Sequence, residues 1–173
     1  GENIPLEVWD KIAREIYQRQ ENIVLIGMPG SGKSTQAKLL ADSLGRECVE
    51  IDALFAPDFG NTPEEIIRRD GEERFRELEQ RLVEEVGKRN GIIISTGGGV
   101  VLCEENYFPL KQNGIIICLE RDINNLATRG RPISQSMDIA EMYKQRKPLY
   151  DRFSDFKIVL ADKRTESLKR LLD

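Results

Sequence analysis

The chain has no histidine among its 173 residues, and that absence narrows its chemistry before any motif is read. Without imidazole there is no Ser-His triad and no histidine-ligated metal, so catalysis must rest on carboxylates, lysines and arginines. Cysteine is scarce too. Cys48, Cys103 and Cys118 are odd in number and form no C-x-x-C pair, a usage that predicts reduced thiols in a cytosol. Cys48 and Cys118 lie in or beside apolar runs and are expected to pack in the core. The apolar runs are no longer than strands, so neither a signal peptide nor a membrane span is expected. No repeat, low-complexity tract or linker divides the sequence, whose length suits one domain. With a net charge of −4 there is no general attraction to nucleic acid or to an anionic membrane. Any anion must be captured locally.

What is present alternates. Segments rich in Ile, Val and Leu predict strands near residues 22–27, 47–51, 92–96, 115–119 and 156–160, with helices between them. Runs such as Ile92-Ile93-Ile94 and Ile115-Ile116-Ile117 suit strands covered on both faces, so the expected fold is α/β, a parallel sheet between two helical layers. Ligands in such folds collect at the carboxyl ends of the strands. Ahead of the first strand, residues 5–19 predict an amphipathic helix with Leu6, Trp9, Ala13, Ile16 and Tyr17 on one face. It either packs on its own domain or serves as a connector or dimer contact.

The most specific motif follows the first strand directly. Gly27-Met28-Pro29-Gly30-Ser31-Gly32-Lys33-Ser34-Thr35 fills the pattern G-x-x-x-x-G-K-[ST], a phosphate-binding loop opening a helix near Gly32. Glycines let successive backbone N–H groups turn inward toward phosphates, and the helix start adds its positive end. Lys33 supplies a cation for the β and γ phosphates, and the Ser34 hydroxyl suits Mg²⁺, which prefers hard oxygen ligands.

A phosphate loop alone does not name the acceptor. At the exit of the second strand, Glu50-Ile51-Asp52 places two carboxylates on one side if strand alternation continues. Asp52 could then face a substrate hydroxyl and Glu50 a magnesium-bound water, although acidic strand ends are also common as solvated features. Thr62-Pro63-Glu64-Glu65 reads as a cap and first turn, Asp70-Gly71 as a break, and the next helix runs to about Arg89. Arg76 stands out within that helix, whereas Arg74 and Arg81 read as solvated. The third strand then delivers Gly97-Gly98-Gly99, which permits close approach of backbone to ligand.

Over about residues 22–172 the sequence resembles the shikimate kinases, members of the nucleoside monophosphate kinase-like group of P-loop proteins. The resemblance rests on the loop Gly27–Thr35, the acidic pair ending in Asp52, the G-E-x-x-F-R-x-x-E stretch ending at Glu79, Gly97-Gly98-Gly99, Arg131-Pro132 and Arg146-Lys147-Pro148-Leu149-Tyr150. It implies a five-stranded parallel sheet of order 2-3-1-4-5 and ATP-dependent, Mg²⁺-dependent phosphorylation of the 3-hydroxyl of shikimate in aromatic amino-acid biosynthesis. It assigns Arg76 and Arg146 to the acceptor's carboxylate, Asp52 to its ring hydroxyls, and Gly97, Gly98 and Gly99 to backbone contacts. A guanidinium fork grips a carboxylate bidentately, which fits those roles. Lys33, Asp52 and Arg131 would be catalytic, with Asp52 aligning the hydroxyl or taking its proton. Gly30, Ser31, Gly32, Lys33, Ser34 and Thr35 would hold ATP, with Ser34, and Glu50 through water, on the metal side.

In the same resemblance a lid at about residues 124–137 carries Arg129 and Arg131, and Arg164 flanks the adenine. For Arg129 a basic surface turn is the competing reading, and for Arg164 a helix start with Thr165 and Glu166. Two features depart from the family pattern: Glu50 replaces the first aspartate of Asp-x-Asp, and the lid is short, with only Gly130 between its arginines. The expected organisation is a leader at 1–20 and a kinase domain at 21–173, whose acceptor-binding segment covers about 52–90. A monomer is expected, or the kinase part of a fused pathway enzyme. A gluconate or nucleotide kinase is the rival within enzymes, and a non-catalytic nucleotide-binding module the rival outside them.

Overall fold

The computed structural model describes residues 5–126 and 138–160. Within them five parallel strands, β1 (Asn22–Ile26), β2 (Cys48–Glu50), β3 (Ile93–Ser95), β4 (Gly114–Glu120) and β5 (Phe156–Val159), form one sheet of order β2-β3-β1-β4-β5. The order and the strand positions match the sequence expectation to within one or two residues.

The helices are α1 (Leu6–Gln20), α2 (Lys33–Leu44), α3 (Phe55–Phe59), α4 (Pro63–Asp70), α5 (Glu72–Gly87), α6 (Tyr107–Lys111), α7 (Ile123–Leu126) and α8 (Ile139–Phe153). Alternation along the strands divides the core in two. Leu25, Ile93, Ile117 and Leu119 face α2 and pack on its Ala37, Leu40 and Ala41. Val24, Ile26, Ile94, Ile116 and Cys118 point the other way, toward Phe55, Leu82, Val83 and Phe153. With both faces covered, a strand interior must be apolar at every position, which explains the unbroken isoleucine runs. Cys118 is buried as expected, while Cys48 at the sheet edge is half-buried, and none of the three cysteines forms a disulfide.

Register places the functional turns together. β1 pairs with β3 through Ile23–Ile93, Val24–Ile94 and Leu25–Ser95, so the phosphate loop and the glycine turn leave adjacent strands side by side. α4 opens on the expected cap, which closes as a capping box: Thr62 Oγ1 accepts from the Glu65 N–H, and Glu65 Oε2 accepts from the Thr62 N–H at 2.8 Å.

One expectation fails at the end of β2. The strand stops at Glu50, and Ile51–Leu54 form a 3₁₀ turn, so Asp52 is not set by strand alternation with Glu50. Ile51, fully buried, forces that turn by folding its side chain into the core. The leader helix forms as expected, and the Gln20 carbonyl accepts from the Gly91 N–H at 2.9 Å. The lid arginines Arg129 and Arg131, and Arg164, lie outside the described residues.

Candidate active site

The phosphate loop is shaped by Gly27, Gly30 and Gly32, with φ of 145°, 79° and 98°. Gly27 also abuts β4 so closely that a Cβ there would collide with the Leu119 carbonyl. Lys33, almost fully buried, folds back and donates to the carbonyls of Gly27 and Met28, both at 2.8 Å. A cavity of about 480 Å³ opens over this loop, lined by Pro29, Gly30, Gly32, Lys33, Ser34 and Thr35, and on its far side by Asp52, Thr96, Gly97 and Gly98. Ser31 is the exception among the loop residues expected to hold nucleotide: it is fully buried and does not line the cavity. The Ser34 hydroxyl beside Lys33 is a hard oxygen donor suited to Mg²⁺, which completes its shell with phosphate oxygens and water. Among the described residues no group of three acidic, cysteine or histidine side chains gathers as a cage. Glu50 turns toward Lys38 at 3.4 Å, too long for a strong hydrogen bond, and does not line the cavity.

A second cavity, of about 370 Å³, adjoins the first and shares Pro29, Asp52, Gly97 and Gly98 with it. Its other walls bring Arg76 and Glu79 from α5, Met142 and Arg146 from α8, and Pro63, Glu64 and Ile67 from α4. Sequence-distant groups named for the acceptor, Asp52, Arg76, Gly97–Gly99 and Arg146, therefore meet in one place. The three glycines are needed there for space rather than for positive φ. A Cβ on Gly99 would run into the Arg76 guanidinium, one on Gly98 would lie 2.6 Å from Pro29 Cδ, and one on Gly97 would lie 3.2 Å from both Asp52 Oδ1 and Glu79 Oε2.

Glu79 lines this cavity, yet the sequence offered it only as the end of a motif. It is fully buried, and its Oε1 accepts from Arg76 Nη1 at 2.8 Å, while Glu72 approaches Nη2 at 3.3 Å. Burial pushes the Glu79 carboxyl above its usual value, Arg76 opposes that shift, and Asp52 adds to it. Among the described residues Glu79 Oε2 and Arg76 Nε are buried without hydrogen-bond partners, one acceptor and one donor beside the cavity. The only signal in the sequence was the i,i+3 spacing on α5, indistinguishable from the solvated Arg74–Glu77 pair on the same helix.

This arrangement can seat a nucleotide's phosphates on one side of Asp52 and a small carboxylate-bearing molecule on the other. Comparison with known proteins supplies the family. The family model for shikimate kinase matches residues 29–173. The shikimate kinase of Caldicellulosiruptor bescii is 38% identical over 80% of this chain and 85% of its own. Among solved structures, shikimate kinase from Acinetobacter baumannii in complex with shikimate superposes with a TM-score of 0.83 at 28% identity, covering 91% of this chain and 93% of that one. A gluconokinase from Sinorhizobium meliloti shares the fold, with a TM-score of 0.61 at 19% identity over 89% and 90% of the two chains. The chain belongs to the shikimate kinase family.

Proposed function

We infer that this protein transfers the γ-phosphate of ATP to the 3-hydroxyl of shikimate, and that the observation carrying this reading is the shared wall between the two cavities. A nucleotide over the phosphate loop and an acid held by Arg76 and Arg146 would meet at Asp52. Two guanidinium groups around one carboxylate favour a small anionic acceptor over a neutral sugar. Family membership favours shikimate over gluconate, which also offers a carboxylate.

In this reading Arg76, held by Glu79, and Arg146 fix the acceptor's carboxylate, and the Gly97–Gly99 turn approaches its ring. Asp52 orients the attacking hydroxyl. Phosphoryl transfer through a loose transition state needs little base strength, so alignment is its main contribution and proton uptake comes late. Positioning of this kind supplies on the order of 7–11 kcal/mol of barrier reduction. Lys33 leaves the Gly27 and Met28 carbonyls for the phosphates, and the Gly30 and Gly32–Thr35 backbone cradles them. Ser34, and Glu50 through water, would hold Mg²⁺, whose charge would neutralise that of the phosphates. By family resemblance alone, Arg131 is assigned to the transferring group and Arg129 and Arg164 to the nucleotide. Among the described residues no helix is long and apolar enough to cross a membrane. We place the reaction in the cytosol and take the acting unit as a monomer.

The test is ADP release by the purified chain with Mg²⁺-ATP and shikimate, gluconate, AMP or no acceptor. Release that requires shikimate is expected. Equal release in all four, or stimulation by gluconate or AMP alone, would contradict the acceptor assignment.

A further inference from the structure

Tyr150 lies on α8 one turn beyond Arg146, on the same helical face, and is only 2% exposed. Its hydroxyl donates to the Gly98 carbonyl at 2.5 Å, a short contact between groups 52 residues apart. Arg146, its i−4 neighbour on that face, lies near enough to the phenol to oppose the effect of burial on it. One hydroxyl thus touches a wall of the acceptor cavity and neighbours one of its arginines without lining the cavity itself.

Gly98 is held from two directions. The Pro29 ring of the phosphate loop lies against its α-carbon so tightly that no Cβ fits. Tyr150 fixes its carbonyl from the core side. In a trans peptide the C=O and the following N–H point in opposite directions, so anchoring the Gly98 oxygen also aims the Gly99 N–H away from Tyr150. A carbonyl that accepts a strong hydrogen bond polarises its peptide, which makes that N–H a better donor. Among the described residues no partner accepts from the Gly98 or Gly99 N–H. Burial keeps the phenol protonated across the working range, so it stays a donor.

We propose that Tyr150 is a positioning residue for the acceptor: through Gly98 it fixes the peptide that meets the acceptor's ring, and through Arg146 it sets the guanidinium that meets its carboxylate. This rests on the reading of Arg146 and the glycine turn as acceptor-binding groups. The hydroxyl does no chemistry. It holds two acceptor contacts from different elements at a fixed separation, and a phenylalanine would fill the same space without that link.

The experiment is steady-state kinetics of Tyr150→Phe, Arg146→Ala and the double variant beside the unaltered chain, at a temperature where circular dichroism shows all four folded. Loss of one hydrogen bond of this kind predicts about a tenfold rise in the KM for shikimate in Tyr150→Phe. The KM for ATP and kcat should move less than about twofold, and the effect of Tyr150→Phe should shrink to less than about threefold in the Arg146→Ala background. An unchanged KM for shikimate, parallel losses for shikimate and ATP, or full additivity in the double variant would each overturn the proposal and leave Tyr150 a packing residue. If the unaltered chain itself failed to phosphorylate shikimate, the acceptor assignment would fall, and this inference with it.

Discussion

Lys33, Arg146 and Glu79 would each act through charge, yet their neighbours give each a different signature. Lys33 rests on the loop's own carbonyls and is expected to act on charge that develops during transfer. Lys33→Ala should therefore lower kcat by about a thousandfold or more. Arg146 would contact the acceptor before and after transfer, so Arg146→Ala should raise the KM for shikimate by about a hundredfold and leave kcat within a fewfold range. Equal kcat losses in both variants would erase this distinction. Glu79 makes a prediction about pH. Its folded-state pKa is raised above 4.5, so the folded chain binds its proton more tightly than the unfolded chain does. That contribution to stability is complete below 4.5 and fades as pH rises through the higher folded value. Asp70, Asp151, Glu47 and Glu105 shift the other way, so the informative quantity is a difference. The gap in melting temperature between Glu79→Gln and the unaltered chain should move in the variant's favour as pH rises across that window. A constant gap would show that Arg76 fully offsets the burial of Glu79.

At the scale of elements, α4 and α5 carry one wall of the acceptor cavity and are separated by Gly71. The cap that starts α4 was legible in Thr62-Pro63-Glu64-Glu65 because capping is a local interaction of four residues. Thr62→Ala should cost about 1 kcal/mol of stability, visible as a lowered urea midpoint with an unchanged slope. An unchanged midpoint would mean that tertiary packing alone holds α4. The end of β2 was not legible in the same way. Period-two alternation says nothing about where a strand stops, and β2 ends at Glu50, one residue short of the expected strand, as buried Ile51 opens a turn. Glu79 was hidden for a related reason. Its spacing from Arg76 equals that of Glu77 from Arg74, and only the packing of α5 against the glycine turn buries one pair and exposes the other.

For the molecule as a whole, the parallel strands, their double helical cover and the phosphate loop could be read from the sequence because each leaves a contiguous or periodic trace, whereas the strand order came only through resemblance. The convergence of Asp52, Arg76, Gly97–Gly99 and Arg146 could be read only through resemblance, since their meeting is a property of chain topology. What topology adds is the common wall: β1 and β3 are neighbours, so the loop after one and the turn after the other stand side by side. Pro29 against Gly98 is the point of contact. Two ligands held across that wall would react there. The decisive measurement is the identity of the product formed from Mg²⁺-ATP and shikimate, with phosphorus–proton correlation NMR locating the transferred phosphate. A single phosphate ester at the 3-hydroxyl is expected, formed in step with ADP. Inorganic phosphate without an ester, or an ester at another hydroxyl, would contradict it.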